Sequence, residues 1–531
     1  MGFDILATIF PLSLLVWLMT KRRPWSSNHA LPLVALVLYG LMIAYFRIDA
    51  VLLNAATIDG LLTALTPIFI VGGAVLLFKT MEHSGALAMI QDCLEGVTSN
   101  KVGQLMIIGW SFSFLIEGVS GFGTPAALAA PLLVGLGFPP VRAATLCLIM
   151  NSVPVSFGAV GMPTWFGFGE LNLGAAKLAD LGFRTALIHT AAALVIPILA
   201  LRAVVSTREI GKNIVFIYLS VAFSVLPYLA AAKVSVEFPS IIGGFIGLVA
   251  SILFAKHGIG LAESSPTRSK EPLFTRRAVK VFFPLWGTIL VLAFTRIPFL
   301  GLREWLVAVA PSWAVSFGSL GEFRISSSLV LQLRNILGTE INWKHAVLYV
   351  PSIIPFVLIS FFCFLIFRVP REAVLQIGHE TWQRIQKPIL ALLGAMVFVK
   401  LMMLGGLESR AVFLGQTLAD TLGSHWRFAA VYFGALGAFF SGSNTVSNLM
   451  FGPVQDSLAK TLDINRTTLL SLQSVGGAMG NMVCIHNIVA VCSILGLSHQ
   501  EGTILKRTFL PMLIYGVVAN VVFWIFLTTG G

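Results

Sequence analysis

The chain has 531 residues, 57% of them hydrophobic and only 11% charged. A soluble globular domain carries about 25% charged residues, so this chain cannot face water on all sides and its solvent is lipid. The net charge of +12 would suggest nucleic acid in a soluble protein. Here the basic residues cluster between apolar runs, as in the positive-inside bias of membrane insertion, and a nucleic-acid partner is not expected.

A membrane-crossing helix needs about 20 mainly apolar residues. Residues 1–60 hold two spans, 3–20 and 31–46; the first lacks the basic start and small-residue cleavage site of a removed signal peptide. Residues 61–203 open with a span at 61–78 and close with one at 185–201. Residues 204–387 hold central spans at 214–231, 239–255, 281–297 and 346–367. They also hold a basic loop at 256–280, expected in the cytoplasm, and a less apolar segment at 301–344, expected outside and left without an assigned structure. Residues 388–531 begin with a span at 388–404 and end with one at 508–528. Cys93, Cys147, Cys363, Cys484 and Cys492 show no metal-ligand spacing and read as free thiols.

Two apolar regions are interrupted. Residues 102–161 contain GVSGFGTP and then NSVPVSFGAVGMP; residues 428–495 contain FFSGSNTVSN and then QSVGGAMGN. Glycine and proline within a span break its hydrogen-bond ladder, and lipid cannot satisfy the freed groups. Such breaks persist where they are buried in protein or line a wet cavity, and a matched pair of them points to a transporter site. The halves do match. Pro131 lies 20 residues before Asn151, as Pro453 lies before Gln473; Ser152 then pairs with Ser474 and Gly158 with Gly480. With a one-residue gap, Pro67 pairs with Pro388, Gly73 with Gly394 and Lys79 with Lys400. Each half reads as a span, a short amphipathic stretch, a broken hairpin, a broken helix and a final span. The expected topology runs 61–78 inward and 388–404 outward, which makes the repeats inverted.

At these segments the sequence resembles the L-lactate permease family. The resemblance rests on FLIEGVSGFGTPAALAAPLLVGLGF, on LCLIMNSVPVSFGAVGMP, and on FFSGSNTVSN, where the family typically reads TGSDT followed by SSN. It implies a bacterial inner-membrane symporter that moves L-lactate and related 2-hydroxy monocarboxylates such as glycolate with protons. It also implies a fold of inverted repeats with re-entrant hairpins, some relatives of which bind sodium at a Ser-Asn-Thr tip. The chain departs from the family at Asn444, where Asp is usual, and in the run CIHNIVA, which carries His486. An Asn carries no proton, so the departure leaves open a sodium-coupled carrier of another small carboxylate.

Glu117 is the outstanding ionisable residue, alone in an otherwise uncharged stretch from 103 to 140. A carboxylate is costly to leave ionised in hydrocarbon, so one so placed usually faces a cavity and works. It is the candidate carrier of the coupling proton; the alternative is a structural cap on hairpin amides. The first tip, with Gly118, Ser120, Gly121, Gly123 and Thr124, offers backbone amides at a helix start to a substrate carboxylate, or else packs helices closely. Asn151, Ser152 and Ser156 in the first broken helix, and Ser474, Gly476 and Gly477 in the second, are further candidates for substrate. Ser443, Asn444, Thr445, Asn448 and Asn481 are candidate cation ligands. The bland reading of all these is polar glue between helices. Lys79 and Lys400 read as side chains reaching for the interface.

The expectation is therefore an all-α polytopic membrane protein with inverted repeats, two re-entrant hairpins and two broken helices. The hairpins and broken helices would move against a scaffold of the other spans, which could also form a homodimer. Substrate and cation would meet between 117–125, 151–158, 443–448 and 473–481. No GxxxxGK[ST] or HExxH motif is present, and neither an enzyme activity, a cofactor nor a bound metal is expected.

Overall fold

The computed structural model describes residues 2–21, 25–121, 124–262, 276–296, 300–497 and 499–528. Most of the basic loop at 256–280 therefore lies outside the described residues. Eight described helices are long and apolar enough to cross a membrane, or ten if each of two bent pairs counts as one span. The protein is a helical, multi-pass membrane protein.

One exception interrupts the helices. Residues 301–344 hold most of a four-stranded antiparallel meander: β1 (Ser312–Ser316), β2 (Glu322–Ser326), β3 (Val330–Arg334) and β4 (Trp343–Ala346). The strands carry the β-branched and aromatic residues that suit a pleated surface. Leu333 and Trp343 are opposed in the register, and they pack with Ile336 against Ala55 of the Ala50–Thr63 helix.

The chain clusters into two compact units, each discontinuous in sequence. The first contains Met1–Leu87 and Val279–Thr417. Within it the Arg371–Met403 helix packs on the Ser27–Ala44 and Leu65–His83 helices. Gly394 and Gly60 permit close approach: a Cβ on Gly60 would stand 2.9 Å from the Val397 backbone, and one on Gly394 would overlap Pro32. Lys79 and Lys400 are both held in ion pairs. Lys79 Nζ lies 2.8 Å from both Glu82 and Glu380, and Lys400 Nζ lies 2.7 Å from Asp59.

The second unit contains Ala88–Ala278 and Leu418–Gly531, and so holds both interrupted regions. The divisions between units fall inside three short helices, Ala86–Glu95, Arg276–Val281 and Arg410–Leu422. Ala86, Ile90 and Leu94 are buried in the first at the four-residue spacing of an amphipathic helix. The first and the last stand where a short amphipathic stretch is expected in each half.

The first hairpin consists of the Lys101–Val119 helix and the Thr124–Gly135 helix. The longer arm is 94% buried over its apolar window, so it stands within the unit rather than against lipid. Leu105–Phe112 within it are π-helical, a wide-turn form that recurs near functional sites. At 12 residues the shorter arm rises only about 18 Å, well short of a bilayer core. The second hairpin joins the Trp426–Ser441 helix to the Asn444–Thr461 helix. Its reversal takes two residues with a clear cause. Gly442, at φ +74°, ends one helix in the left-handed region, and Ser443 caps the next by accepting from Val446 N.

The broken helices differ from each other. In the first, Pro140–Met150 and Val155–Trp165 meet at 63°. The freed carbonyls are answered by side chains: Ile149 O accepts from Ser152, Pro154 O from Ser240, Ser156 O from Thr164 and Val160 O from Trp165 Nε1. That accounting is what allows the ladder to break without water. In the second, the Arg466–Gly480 helix runs unbroken through Gln473, Ser474, Gly476 and Gly477, and the break comes at Asn481–Val483 before the Ile485–Ile494 helix. The break expected within 473–481 thus comes at the end of that stretch. Its glycines serve packing instead: a Cβ on Gly476 would overlap the Val431 carbonyl of the second hairpin.

Candidate functional site

The second unit brings the two tips together around a small cavity. Glu117 and Gly121 line it from the first hairpin; Val155, Gly158, Ala159, Met162 and Pro163 line it from the first broken helix. Gly442, Ser443, Asn444 and Thr445 come from the second hairpin, and Asn481 from the second break. Four separate elements thus contribute to one cavity.

Glu117 sits one turn before the first tip and is 2% exposed. Asn151 Nδ2 donates to its Oε2 at 3.0 Å. Its other oxygen rests where a Cβ on Gly158 would be, so Gly158 must be glycine for the carboxyl to fit. Among the described residues no basic side chain pairs with Glu117. A buried carboxyl without a counter-ion is a place for a proton or a small cation rather than a structural ion pair.

The far wall of the cavity is strained. Ala159, Val160 and Gly161 form a left-handed turn, with φ of 44°, 58° and 72°. Such a conformation is costly for alanine and more so for β-branched valine, and it persists only where the surroundings enforce it. Trp165 holds the Val160 carbonyl, and a Cβ on Gly161 would overlap the Val236 carbonyl.

Behind the second tip lies a polar network centred on Ser156, which is fully buried. Asn444 Nδ2 lies 3.3 Å from Ser156 Oγ, Ser474 Oγ 2.9 Å, and His189 Nε2 2.8 Å. Ser156 Oγ is also 3.1 Å from the Ser474 carbonyl. Asn448 Nδ2 donates to Pro163 O at 2.9 Å, and Gln473 Nε2 donates to Ser447 Oγ at 3.0 Å. These bonds tie the second hairpin to both broken helices.

The matches to known proteins follow this geometry. The model of the L-lactate permease family matches residues 4–529. The chain belongs to the L-lactate permease family. It is similar to a putative L-lactate permease of Haemophilus influenzae, 48% identical over 97% of each chain. It is also similar to the L-lactate permease of Bacillus subtilis, at 26% identity over 95% of this chain and 92% of that one. The glycolate permease GlcA of Escherichia coli is 26% identical over 98% of this chain and 95% of that one. A member of this permease family is a transporter, not an enzyme, and this one is a multi-pass bacterial membrane protein.

In this permease the residues singled out in sequence fall into three groups. Glu117, Gly121, Ser443, Asn444, Thr445 and Asn481 line the cavity. Asn151, Ser156, Asn448 and Ser474 stand behind its walls and brace them. The rest are local. Ser120 and Ser152 bond back to the Ile116 and Ile149 carbonyls. Gly118 admits the Pro239–Lys256 helix, where a Cβ would stand 2.7 Å from Ile241 N. Gly477 makes room for Asn444 Oδ1, and Thr124 is buried. Gly123 lies outside the described residues.

Sequence reasoning missed His189 and Tyr515. Both are fully buried, and they hydrogen-bond to each other through His189 Nδ1. The signal was available, because His189 stands in the apolar run ALIHTAAAL much as Glu117 stands in its own.

Proposed function

We propose that this permease carries L-lactate and related 2-hydroxy monocarboxylates such as glycolate across the membrane together with a proton, and that Glu117 carries that proton. The substrate class is supported by the names of the relatives, which are lactate and glycolate permeases. The proton is supported by one observation above the others: a buried carboxyl at the cavity with an amide donor and, among the described residues, no cationic partner. Loading it with a proton neutralises the charge before the cavity is carried through the bilayer.

The substrate carboxylate binds at the helix starts at the two tips, where the first backbone N–H groups have no intrahelical acceptor. Asn444 and Thr445 open an 18-residue helix and line the cavity. The two halves act as inverted repeats that exchange conformations, so that the site opens to each side in turn. Their matching order of elements supports this: span, amphipathic helix, hairpin, interrupted helix, span.

One observation favours a second reading. Asn444 stands where the family usually has Asp, and its Oδ1 accepts no hydrogen bond among the described residues. An amide oxygen of that kind suits sodium. Reconstitution in proteoliposomes separates the readings. The proposal expects an inward proton gradient to drive accumulation of labelled L-lactate without sodium. Accumulation that requires a sodium gradient and ignores an imposed pH difference establishes the second reading instead.

A further inference from the structure

Ser156 Oγ has more suitors than it can hold. A hydroxyl has one proton and two lone pairs. Asn444 Nδ2 and Ser474 Oγ both donate toward it, while His189 Nε2 lies closest of all, at 2.8 Å. His189 itself is held at Nδ1 by Tyr515. Asn444, Ser156, Ser474, His189 and Tyr515 are all buried, and of the five only Asn444 lines the cavity.

Neutral imidazole has two tautomers, and each gives a different pattern here. With the proton on Nδ1, His189 donates to Tyr515 Oη and Nε2 accepts from Ser156. Both Ser156 lone pairs are then free for Ser474 and Asn444, and the tip amide is held. With the proton on Nε2, Tyr515 donates to Nδ1 and His189 donates to Ser156, which donates in turn to the Ser474 carbonyl, 3.1 Å away. Ser474 and His189 then fill both lone pairs, and the Asn444 N–H is left without an acceptor. The first pattern orphans the Tyr515 hydroxyl proton and the second orphans the Asn444 amide proton. Each leaves one donor unused, so neither dominates by hydrogen-bond count.

We propose that His189 is a positioning residue of the transport site, which holds or releases the Asn444 carboxamide by competing with it for Ser156. Released, the Asn444 N–H is a donor for the carboxylate or hydroxyl oxygen of a bound 2-hydroxy acid, the one partner that the network lacks. This rests on the reading of Asn444 as a substrate-contacting residue. The groups facing His189 are Ser156 from the first broken helix, Tyr228 from the Ile214–Ala232 helix and Tyr515 from the Glu501–Thr528 helix. The switch is therefore a tautomeric exchange within a neutral network, with no charged partner taking part.

The test is initial-rate uptake of labelled L-lactate by His189→Ala, His189→Gln, Asn444→Ala and the double variant His189→Ala/Asn444→Ala. Each protein is reconstituted at equal amounts after a monodispersity check. Losing one hydrogen bond to substrate raises KM about tenfold, with Vmax nearly unchanged. His189→Ala and Asn444→Ala each show this, and the double variant is no worse than Asn444→Ala alone. His189→Gln, whose amide both donates and accepts, recovers most of the affinity. Multiplied effects in the double variant, or a loss of Vmax at constant KM in His189→Ala, overturn the positioning role. An unchanged KM in Asn444→Ala removes the underlying site reading itself. If His189→Ala does not fold, Ser156→Ala serves: His189→Gln must then add nothing to KM in that background, and an added effect overturns the proposal.

Discussion

Asn151 donates to Glu117 across 34 residues of chain, from Nδ2 to Oε2 at 3.0 Å. The bond joins the residue at which the first broken helix stops to the one ionisable side chain between residues 103 and 140. Any motion that bends this break further must move Glu117, and any change in the charge of Glu117 is felt at the break. Gln473, which pairs with Asn151 in the matched halves, likewise donates to its own hairpin, at Ser447.

Glycines at the site differ from glycines elsewhere. A Cβ on Gly158 would overlap Glu117, and one on Gly477 would overlap Asn444. Gly211, in the Thr207–Lys212 helix, has open space around it. Gly158→Ala and Gly477→Ala are each expected to cost about 1–3 kcal/mol of stability by overpacking and to abolish most transport. Gly211→Ala is expected to leave transport intact and to stabilise by about 0.5–1 kcal/mol. Thermal unfolding of purified protein and uptake by proteoliposomes check both.

The Lys400–Asp59 pair in the first unit is mostly buried, with the Asp59 side chain 9% exposed. Removing one partner strands the other charge. Lys400→Met is expected to destabilise by about 3–5 kcal/mol, and the double variant Asp59→Asn/Lys400→Met to recover more than half of that. Equal losses in the single and double variants would show that the charge pairing is immaterial.

His345 lies on β4, outside the spans, stacked on Trp343 and 2.9 Å from Thr66 Oγ1 through Nδ1. Burial pushes its pKa down to about 4. The folded state therefore favours the neutral ring. The associated stability is fully present above the ordinary histidine value of about 6.5 and is lost as pH falls toward 4. The midpoint of thermal unfolding should drop more steeply over that window in the wild type than in His345→Gln. Parallel profiles would count against the assignment.

Much of the site was legible in sequence because broken backbone in lipid is so restricted. NSVPVSFGAVGMP reads as a break, and a lone carboxyl such as Glu117 usually faces a cavity. The second break was located only within 473–481 because Gly476 and Gly477 look like helix breakers, whereas they let the Trp426–Ser441 helix and Asn444 approach closely, and the break comes at Asn481. That distinction depends on neighbours far away in sequence. The small sheet went unread because its strands are four or five residues long, too short for periodicity to stand out in a chain dominated by spans. His189 and Tyr515 escaped because a lone histidine and a lone tyrosine in apolar helices say nothing of each other until the fold joins them.

The most direct test of the central claim compares Glu117→Gln with the wild type in proteoliposomes, measuring both lactate exchange at equilibrium and accumulation under an imposed proton gradient. A carboxamide keeps the bond from Asn151 only through its oxygen and cannot take up a proton. The account predicts that Glu117→Gln still exchanges labelled for unlabelled lactate but accumulates none above passive equilibration. Accumulation by Glu117→Gln at the wild-type level, driven by the same proton gradient, would contradict it.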